Sequence, residues 1–299
     1  LIAWLPYGVA FAIHSLLAIG ALAGAAWLAT RELVPMIPPR RAVVVATSVG
    51  LAAYPILRAV LGGQNTTFSL ALLVGIWWGI EKDRTIVAGL CLAGLAFKPQ
   101  FAVVVFVFLV AARRWRELGV AVLGFGALYL STAVLMGPDW PMAWLEQVRA
   151  FGEMNEIANG ALMVNIVGWA SAALSTGLVS TVVAWVLLAA VGILGLWVSA
   201  RIGIRWASLG VLATAMVLLS PSTLYYDGGM AIVVFALVVL VLDQRVAWAV
   251  VAIAASWIQL AEPLLGWSPL FLVLLAVLVA GTLTSVRASN TTQLGRTRH

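Results

Sequence analysis

The sequence has 299 residues, of which 64% are hydrophobic and 9% are charged, and its mean hydropathy is +1.09. Soluble domains contain about 25% charged residues, so this composition excludes a soluble domain and indicates a polytopic membrane protein. The net charge of +6 comes from basic residues scattered between apolar segments, which argues against a nucleic-acid partner, and the single cysteine, Cys91, excludes a disulfide framework or a thiolate metal cluster.

Apolar segments follow one another along almost the whole chain. A transmembrane helix needs about 20 apolar residues, and shorter ones are tolerated inside a bundle. On this basis we predict an all-α bundle of roughly eleven transmembrane helices, near residues 7–29, 42–60, 68–80, 85–97, 99–112, 118–136, 178–200, 206–219, 228–242, 246–261 and 268–286. We therefore expect one transmembrane module over 1–286 and a disordered, basic cytoplasmic tail over 287–299.

Two other segments do not fit a simple span. The segment 161–176 is short and interrupted, and we expect a re-entrant or interfacial helix there. The longest loop, 137–160, alternates aromatic and charged residues, which suits a helix lying in the membrane interface or a plain amphipathic connector.

The distribution of basic residues predicts the orientation of the bundle. With Leu1 on the outer side, every lysine and arginine except Arg58, Lys98 and Arg149 falls on the cytoplasmic side, as the positive-inside rule requires. The sequence therefore predicts a multi-pass protein of a bacterial-type cell membrane.

Four polar stretches return to the predicted outer boundary of the membrane. Burying polar groups there costs free energy, so such residues usually have a function. The four stretches are Tyr54 to Phe68, Ala96 to Phe101, the end of the long loop with Asn165, and Leu218 to Met230. We expect them to form one cavity, with these candidate site residues: Arg58, Gln64, Asn65, Lys98, Gln100, Asn165, Tyr225, Tyr226 and Asp227.

Each candidate also has a structural explanation. Arg58 would snorkel to headgroups, Lys98 would belong to a tight turn before Pro99, and Gln64 and Asn65 would cap the next helix. Tyr225 and Tyr226 would be interfacial aromatics, and Asp227 would cap a helix starting at Gly228. His14, in the middle of a span, is interpreted as a hydrogen-bonded interior residue.

The chemistry of this cavity suits a sugar carried on a lipid phosphate. Arginine and lysine bind phosphate, amides and phenols bind sugar hydroxyls, and a carboxylate can accept the proton of an acceptor hydroxyl. The sequence contains no HExxH, P-loop, GxGxxG or CxxC pattern, so no metal or cofactor is predicted.

At these stretches the chain resembles glycosyltransferase family 87, whose members belong to the GT-C superfamily. The resemblance rests on "GGQNTTFSLALL" at 62–73, "AGLCLAGLAFKPQF" at 88–101, "RRWRE" at 113–117, the Asn165 segment and "LLSPSTLYYDGGM" at 218–230. It implies an inverting, metal-independent transfer of a hexose, commonly mannose, from a polyprenyl-phosphate donor to a lipid or glycan acceptor at the extracytoplasmic face. It also implies that Arg58 and Lys98 bind the donor phosphate and that the other candidates bind sugar or acceptor.

The chain departs from the family pattern in two places. Family members carry an acidic residue, the expected catalytic base, in a first outer loop, so we expect the base upstream of Leu1, with Asp227 as the other candidate. The stretch at 218–230 reads Ser220-Pro221-Ser222 where the family often has Ser-Pro-His. Two other functions stay open. The Gly-rich helices and short spans suit a lipid or solute transporter, and the two departures suit a catalytically degenerate membrane scaffold.

Overall fold

The protein is described by a computed structural model over residues 4–33, 38–175, 177–242 and 246–296. Within these ranges the regular structure is helical, apart from one isolated antiparallel bridge between Met163 and Leu224. The α-helices are α1 Tyr7–Leu33, α2 Pro39–Ala52, α3 Tyr54–Leu61, α4 Thr66–Glu81, α5 Thr85–Gly94, α6 Pro99–Ala111, α7 Trp115–Met136, α8 Trp140–Asn159, α9 Ile166–Ala173, α10 Leu178–Arg201, α11 Trp206–Leu219, α12 Tyr225–Leu242, α13 Val246–Ala255, α14 Glu262–Leu265 and α15 Leu270–Arg296. Three 3₁₀ turns accompany them, at Leu95–Phe97, Gly160–Leu162 and Ser256–Ala261.

Five helical segments are long and apolar enough to cross a membrane: Tyr7–Arg31, Trp115–Met136, Leu178–Arg201, Val246–Leu265 and Leu270–Ser289. A sixth span results if the bent pair α2 and α3 counts as one. The outer faces of these long helices are apolar and uncovered, as at Leu123, Val134 and Leu135 of α7. Uncovered apolar faces of this extent require lipid around them, so the chain is a multi-pass membrane protein.

The predicted number of eleven transmembrane helices is not confirmed. Five further apolar helices have only 10–17 residues: Thr66–Glu81, Thr85–Phe97, Pro99–Ala111, Trp206–Leu219 and Tyr225–Leu240. A helix of 16 residues is about 24 Å long, whereas the hydrocarbon core of a bilayer is about 30 Å thick. Hydropathy alone does not separate these helices from spans, because burial inside a bundle selects apolar residues just as lipid does.

Three other segments can be compared with their predictions. Most of the long loop is helix α8, and the short segment after it forms α9, a helix of eight residues. The last helix continues through Arg296, so residues 287–296 are helical where the sequence predicts disorder. Extending an existing helix needs no new nucleation, which explains how a polar end can remain helical. Residues 297–299 lie outside the described residues.

The centre of the bundle is formed by α11 and α12. Almost every residue of α11 is buried, and the helix packs against α10, α12 and α15. Helix α12 packs in turn against α3, α13 and α15. Helix α4 runs antiparallel to α11: at the end of α4, Trp77 Nε1 donates to the Arg205 carbonyl and Glu81 accepts from the Trp206 amide, each at 3.0 Å.

Helices α2 and α3 meet at an angle of 87°. Ala53 at the junction is extended, and Pro55 lies in the first turn of the next helix, where its missing N–H is harmless. The Tyr54 amide donates to Ser256 Oγ at 3.1 Å, and Trp257 Nε1 donates to the Ala52 carbonyl at 3.0 Å. These bonds hold α3 at the same end of the bundle as the start of α4.

We expect Gly89→Ala to destabilise the bundle. A Cβ at this position in α5 would lie 2.5 Å from Val120 Cβ and 2.8 Å from the Glu117 carbonyl oxygen of α7. Overpacking of this kind costs about 1–3 kcal/mol. The matched control is Gly119→Ala in α7, where a new Cβ meets no atom within 4 Å. Thermal unfolding in detergent should lower the midpoint only for Gly89→Ala; equal midpoints would contradict this packing.

Candidate functional site

A buried ion pair lies at one end of the bundle. Lys98 Nζ is 2.5 Å from Asp227 Oδ1, and the two side chains are 11% and 6% exposed. Thr66 Oγ1 donates to the same carboxylate oxygen at 2.8 Å and is fully buried. The ammonium of Lys98 also lies 5.1 Å from the centroid of the Phe101 ring, within cation–π range. The pair thus joins residues that are far apart in the sequence.

The ion pair lies where several helices begin. Lys98 is the N-cap residue of α6, Thr66 is the first residue of α4, and Asp227 is in the first turn of α12. The N-terminus of a helix carries a partial positive charge, which stabilises a carboxylate there. These helix starts add partial positive charge around the Lys98–Asp227 pair at this end of the bundle. We call it the site end.

Asn165 attaches a fourth helix to the site end. Its Oδ1 accepts from the Gly168 amide at 2.8 Å, which caps α9, and its Nδ2 donates to the Thr223 carbonyl at 3.5 Å. The Val164 amide donates to the same carbonyl at 2.9 Å. Asn165 is 3% exposed. Its amide therefore holds the loop before α12 in place.

An aromatic group lies beside the ion pair on α3 and α12. Tyr54 stacks on Tyr225 with ring centroids 6.0 Å apart, and Tyr225 meets Tyr226 edge to face at 5.5 Å. Arg58 is exposed, and its Nε donates to the Tyr225 hydroxyl at 3.4 Å. Trp257 packs on the other side of Tyr54, with centroids 5.2 Å apart.

The close approach of α12 to α3 explains one glycine of the pair that follows Asp227. A Cβ on Gly229 would lie 2.8 Å from Ile56 Cγ1 and 3.0 Å from Pro55 Cβ. A larger residue would push α12 away from α3. Tyr225 would then lose its position against Tyr54.

The structure thus brings all four predicted polar stretches to one end of the bundle, but not every predicted side chain contacts the ion pair. Gln64 Nε2 donates within its own turn, to the Gly62 carbonyl at 3.5 Å. Asn65 occupies the N-cap position of α4 without a side-chain cap bond. Gln100 contributes its carbonyl, which accepts from Ser220 Oγ at 3.2 Å.

Asp227 does not have the capping role that the sequence also allowed. Helix α12 starts at Tyr225, two residues before Asp227, and the carboxylate bonds to Lys98 and Thr66 instead. Lys98 lies in a turn, as the structural explanation proposed, and in addition its side chain forms the ion pair.

Sequence reasoning missed Thr66, Tyr54 and Trp257 as members of this site. Thr66 follows the predicted Gln64-Asn65 pair directly, so its position before an apolar helix was an available signal. Tyr54 precedes a proline at a bend, but no sequence pattern links it to Tyr225 or Trp257.

His14 lies at the edge of the site end. Its ring meets Phe68 at 5.6 Å, and it lines the turn at Gly63, which has a φ of +64°. Among the described residues, its Nε2 is buried without a hydrogen-bond partner. The prediction of a hydrogen-bonded interior histidine is therefore wrong for this nitrogen.

In the described ranges, no group of three or more His, Cys, Asp or Glu side chains is placed to hold a metal ion. The cations at the site end are Arg58 and Lys98, next to hydroxyls and amides, and the acids are Asp227, paired with Lys98, and Glu262 near Tyr54. Such a set can bind a phosphate and orient a polyhydroxylated group.

These features define a multi-pass membrane protein with a polar site, built around a buried ion pair, where its helices begin. The model of glycosyltransferase family 87 matches residues 1–221 of the chain. The chain belongs to this family and is therefore a membrane glycosyltransferase. Searches of curated proteins and of solved structures found no match.

We expect the ion pair to stabilise the fold as a coupled unit. Lys98→Met or Asp227→Leu alone leaves a buried charge unpaired, which costs about 3–5 kcal/mol. The double variant replaces both charges by apolar groups and should recover most of this loss. Thermal unfolding of the four proteins in detergent measures the coupling; losses that simply add in the double variant would contradict it.

Proposed function

We propose that the protein transfers a hexose, with mannose as the first choice, from a polyprenyl-phosphate donor to a lipid or glycan acceptor. The reaction inverts the anomeric carbon, uses no metal and takes place at the extracytoplasmic face of the cell membrane. The observation that carries the proposal is the Lys98–Asp227 pair among converging helix starts, in a chain of glycosyltransferase family 87.

The proposed reaction is one displacement. The acceptor hydroxyl oxygen forms a bond to the anomeric carbon, and the bond from that carbon to the phosphate oxygen breaks. Polyprenyl phosphate leaves with the bonding electrons, and the hydroxyl proton passes to a carboxylate base. The chain must therefore neutralise charge on the leaving phosphate and hold the sugar.

Lys98 and Arg58 are suited to the leaving phosphate. An ammonium has three N–H donors, and the contact with Asp227 uses one of them. A guanidinium has five, and Arg58 donates only one long hydrogen bond to Tyr225 in the structure. Positive helix ends nearby add to the attraction for a phosphate. Both cations thus retain donors for the donor substrate.

Asp227 is better suited to positioning Lys98 than to accepting the proton. Its Oδ1 already accepts from Lys98 and from Thr66, and the side chain is buried. We therefore propose that a carboxylate other than Asp227 acts as the base. In this arrangement the Asp227 carboxylate sets where the ammonium points.

The remaining candidates are proposed to bind sugar or acceptor hydroxyls. The side chains of Gln64, Asn65 and Gln100 are partly exposed at the site end, as are Tyr225 and Tyr226. The amide of Asn165 bonds to the chain itself, so its proposed contribution is to hold the loop that carries Thr223.

The proposed face follows from charge. The site end contains the starts of α4 and α6, whereas the basic loops that contain Lys82, Arg84, Arg113 and Arg116 join the opposite ends of these helices. The positive-inside rule places such loops in the cytoplasm, which puts the site end outside.

We expect membranes that contain the full-length protein to transfer labelled mannose from polyprenyl-phosphate mannose into a lipid or glycan fraction. Membranes with the double variant Lys98→Met/Asp227→Leu, which lacks the ammonium but is expected to keep most of the stability, should lose this transfer at similar expression. Uptake of sugar into vesicles without covalent product would instead favour a transporter. No product and no uptake at normal expression would favour a membrane scaffold.

We expect Arg58→Ala to act on donor binding. Loss of a charge-assisted bond to phosphate costs about 1.5–3 kcal/mol, so the KM for the donor should rise about tenfold or more. Arg58→Lys should recover part of this loss, because it retains the charge but not the bidentate geometry. The control is Arg201→Gln, an exposed arginine at the end of α10. An unchanged donor KM in Arg58→Ala would overturn this role.

A further inference from the structure

A second polar cavity lies at the opposite end of the bundle from the ion pair. It has a volume of about 480 Å³ and lies between the α4–α5 turn and the α6–α7 turn. Its lining residues are Asp83, Thr85, Arg113, Arg114, Trp115, Arg116 and Glu117. We call it the basic pocket. Because α4 is about 24 Å long, the basic pocket is separate from the site end.

The charges of the basic pocket favour an anion. Three arginines face two acids, and the carboxylate of Glu117 is already compensated. Arg114 Nη2 lies 2.6 Å from Glu117 Oε1, and Thr85 Oγ1 donates to the same oxygen at 3.5 Å. Glu117 is 4% exposed, whereas Arg113 and Arg116 are exposed. The charge available to a ligand is therefore positive.

Arg114 is fixed within the basic pocket. Its Nη2 forms the ion pair with Glu117, and the side chain remains 30% exposed. A guanidinium has five N–H donors and this contact uses one of them, so Arg114 retains donors for an anion.

The backbone around the basic pocket also favours an anion. Helices α5 and α7 begin at Thr85 and Trp115, so the positive ends of both helices lie at the pocket. Arg113 has a φ of +56°, a conformation that is unfavourable for an arginine. Close packing of α5 on α7 at Gly89 makes this a rigid frame.

We propose that the basic pocket binds a phosphate-bearing anion through Arg113, Arg114 and Arg116. A phospholipid headgroup and a soluble phosphate ester share this chemistry. Trp115 is 61% exposed beside the arginines, which is typical of a tryptophan at a membrane–water interface. The proposal does not depend on the proposed transferase reaction, because the pocket is remote from the site end.

The test measures binding to the purified full-length protein in neutral detergent. The probes are phosphatidylglycerol, phosphatidylcholine and soluble glycerol phosphate, and the readouts are the thermal unfolding midpoint and native mass spectrometry. We expect phosphatidylglycerol or glycerol phosphate to bind and raise the midpoint. Phosphatidylglycerol alone identifies a lipid headgroup; glycerol phosphate acting equally well identifies a soluble phosphate ester.

The variants locate the binding. The double variant Arg113→Gln/Arg116→Gln should weaken anion binding about tenfold or more, because it removes two charge-assisted contacts. The matched control, Arg201→Gln/Arg205→Gln, removes the same charge from exposed arginines elsewhere. If the double variant does not fold, the single variant Arg116→Gln replaces it. No anion binding by the wild type, or equal weakening in the control, would overturn the proposal.

Discussion

The buried pair of Lys98 and Asp227 is the contact on which the site end depends. Two charges that are withdrawn from water are tolerated only when they meet each other and further hydrogen bonds, and Thr66 provides one such bond. This requirement fixes the starts of α4, α6 and α12 relative to one another. The loop before α12 is then tied to α9 through Asn165, so that four helix starts lie together at one polar surface.

Packing of small residues makes this arrangement possible. Gly229 lets α12 approach α3, and the same approach brings Tyr225 against Tyr54 and within reach of Arg58. The long helices α1, α7 and α10 bury little of their surface and face lipid, whereas α4 and α11 are largely buried. The protein therefore uses lipid-facing helices as a frame and short helices to present polar residues at their ends. This division is physically sensible, because a short buried helix ends inside the protein, where its end groups can meet a ligand.

The two ends of the bundle carry different chemistry. At the site end, cations are next to phenols and amides around one carboxylate, a composition that suits a sugar on a phosphate. At the opposite end, arginines surround the basic pocket, and no comparable set of phenols lines it. Ser222 adds a detail at the site end. It is exposed with a φ of +56°, a conformation that few residues other than glycine adopt.

The sequence by itself determined the class of the protein, because a chain this apolar, with basic loops between its apolar segments, is stable only in a membrane. It also predicted the four polar stretches, since polar groups at the edges of apolar segments are costly without a task. It did not determine the number of spans, because buried and lipid-facing helices are equally apolar. Only the tertiary structure decided that Lys98 pairs with Asp227 and that Thr66 and Tyr54 lie beside them. It also decided that the side-chain amide of Asn165 bonds to backbone groups. Those contacts join residues that are distant in the chain, and their formation depends on how the helices pack rather than on any local pattern.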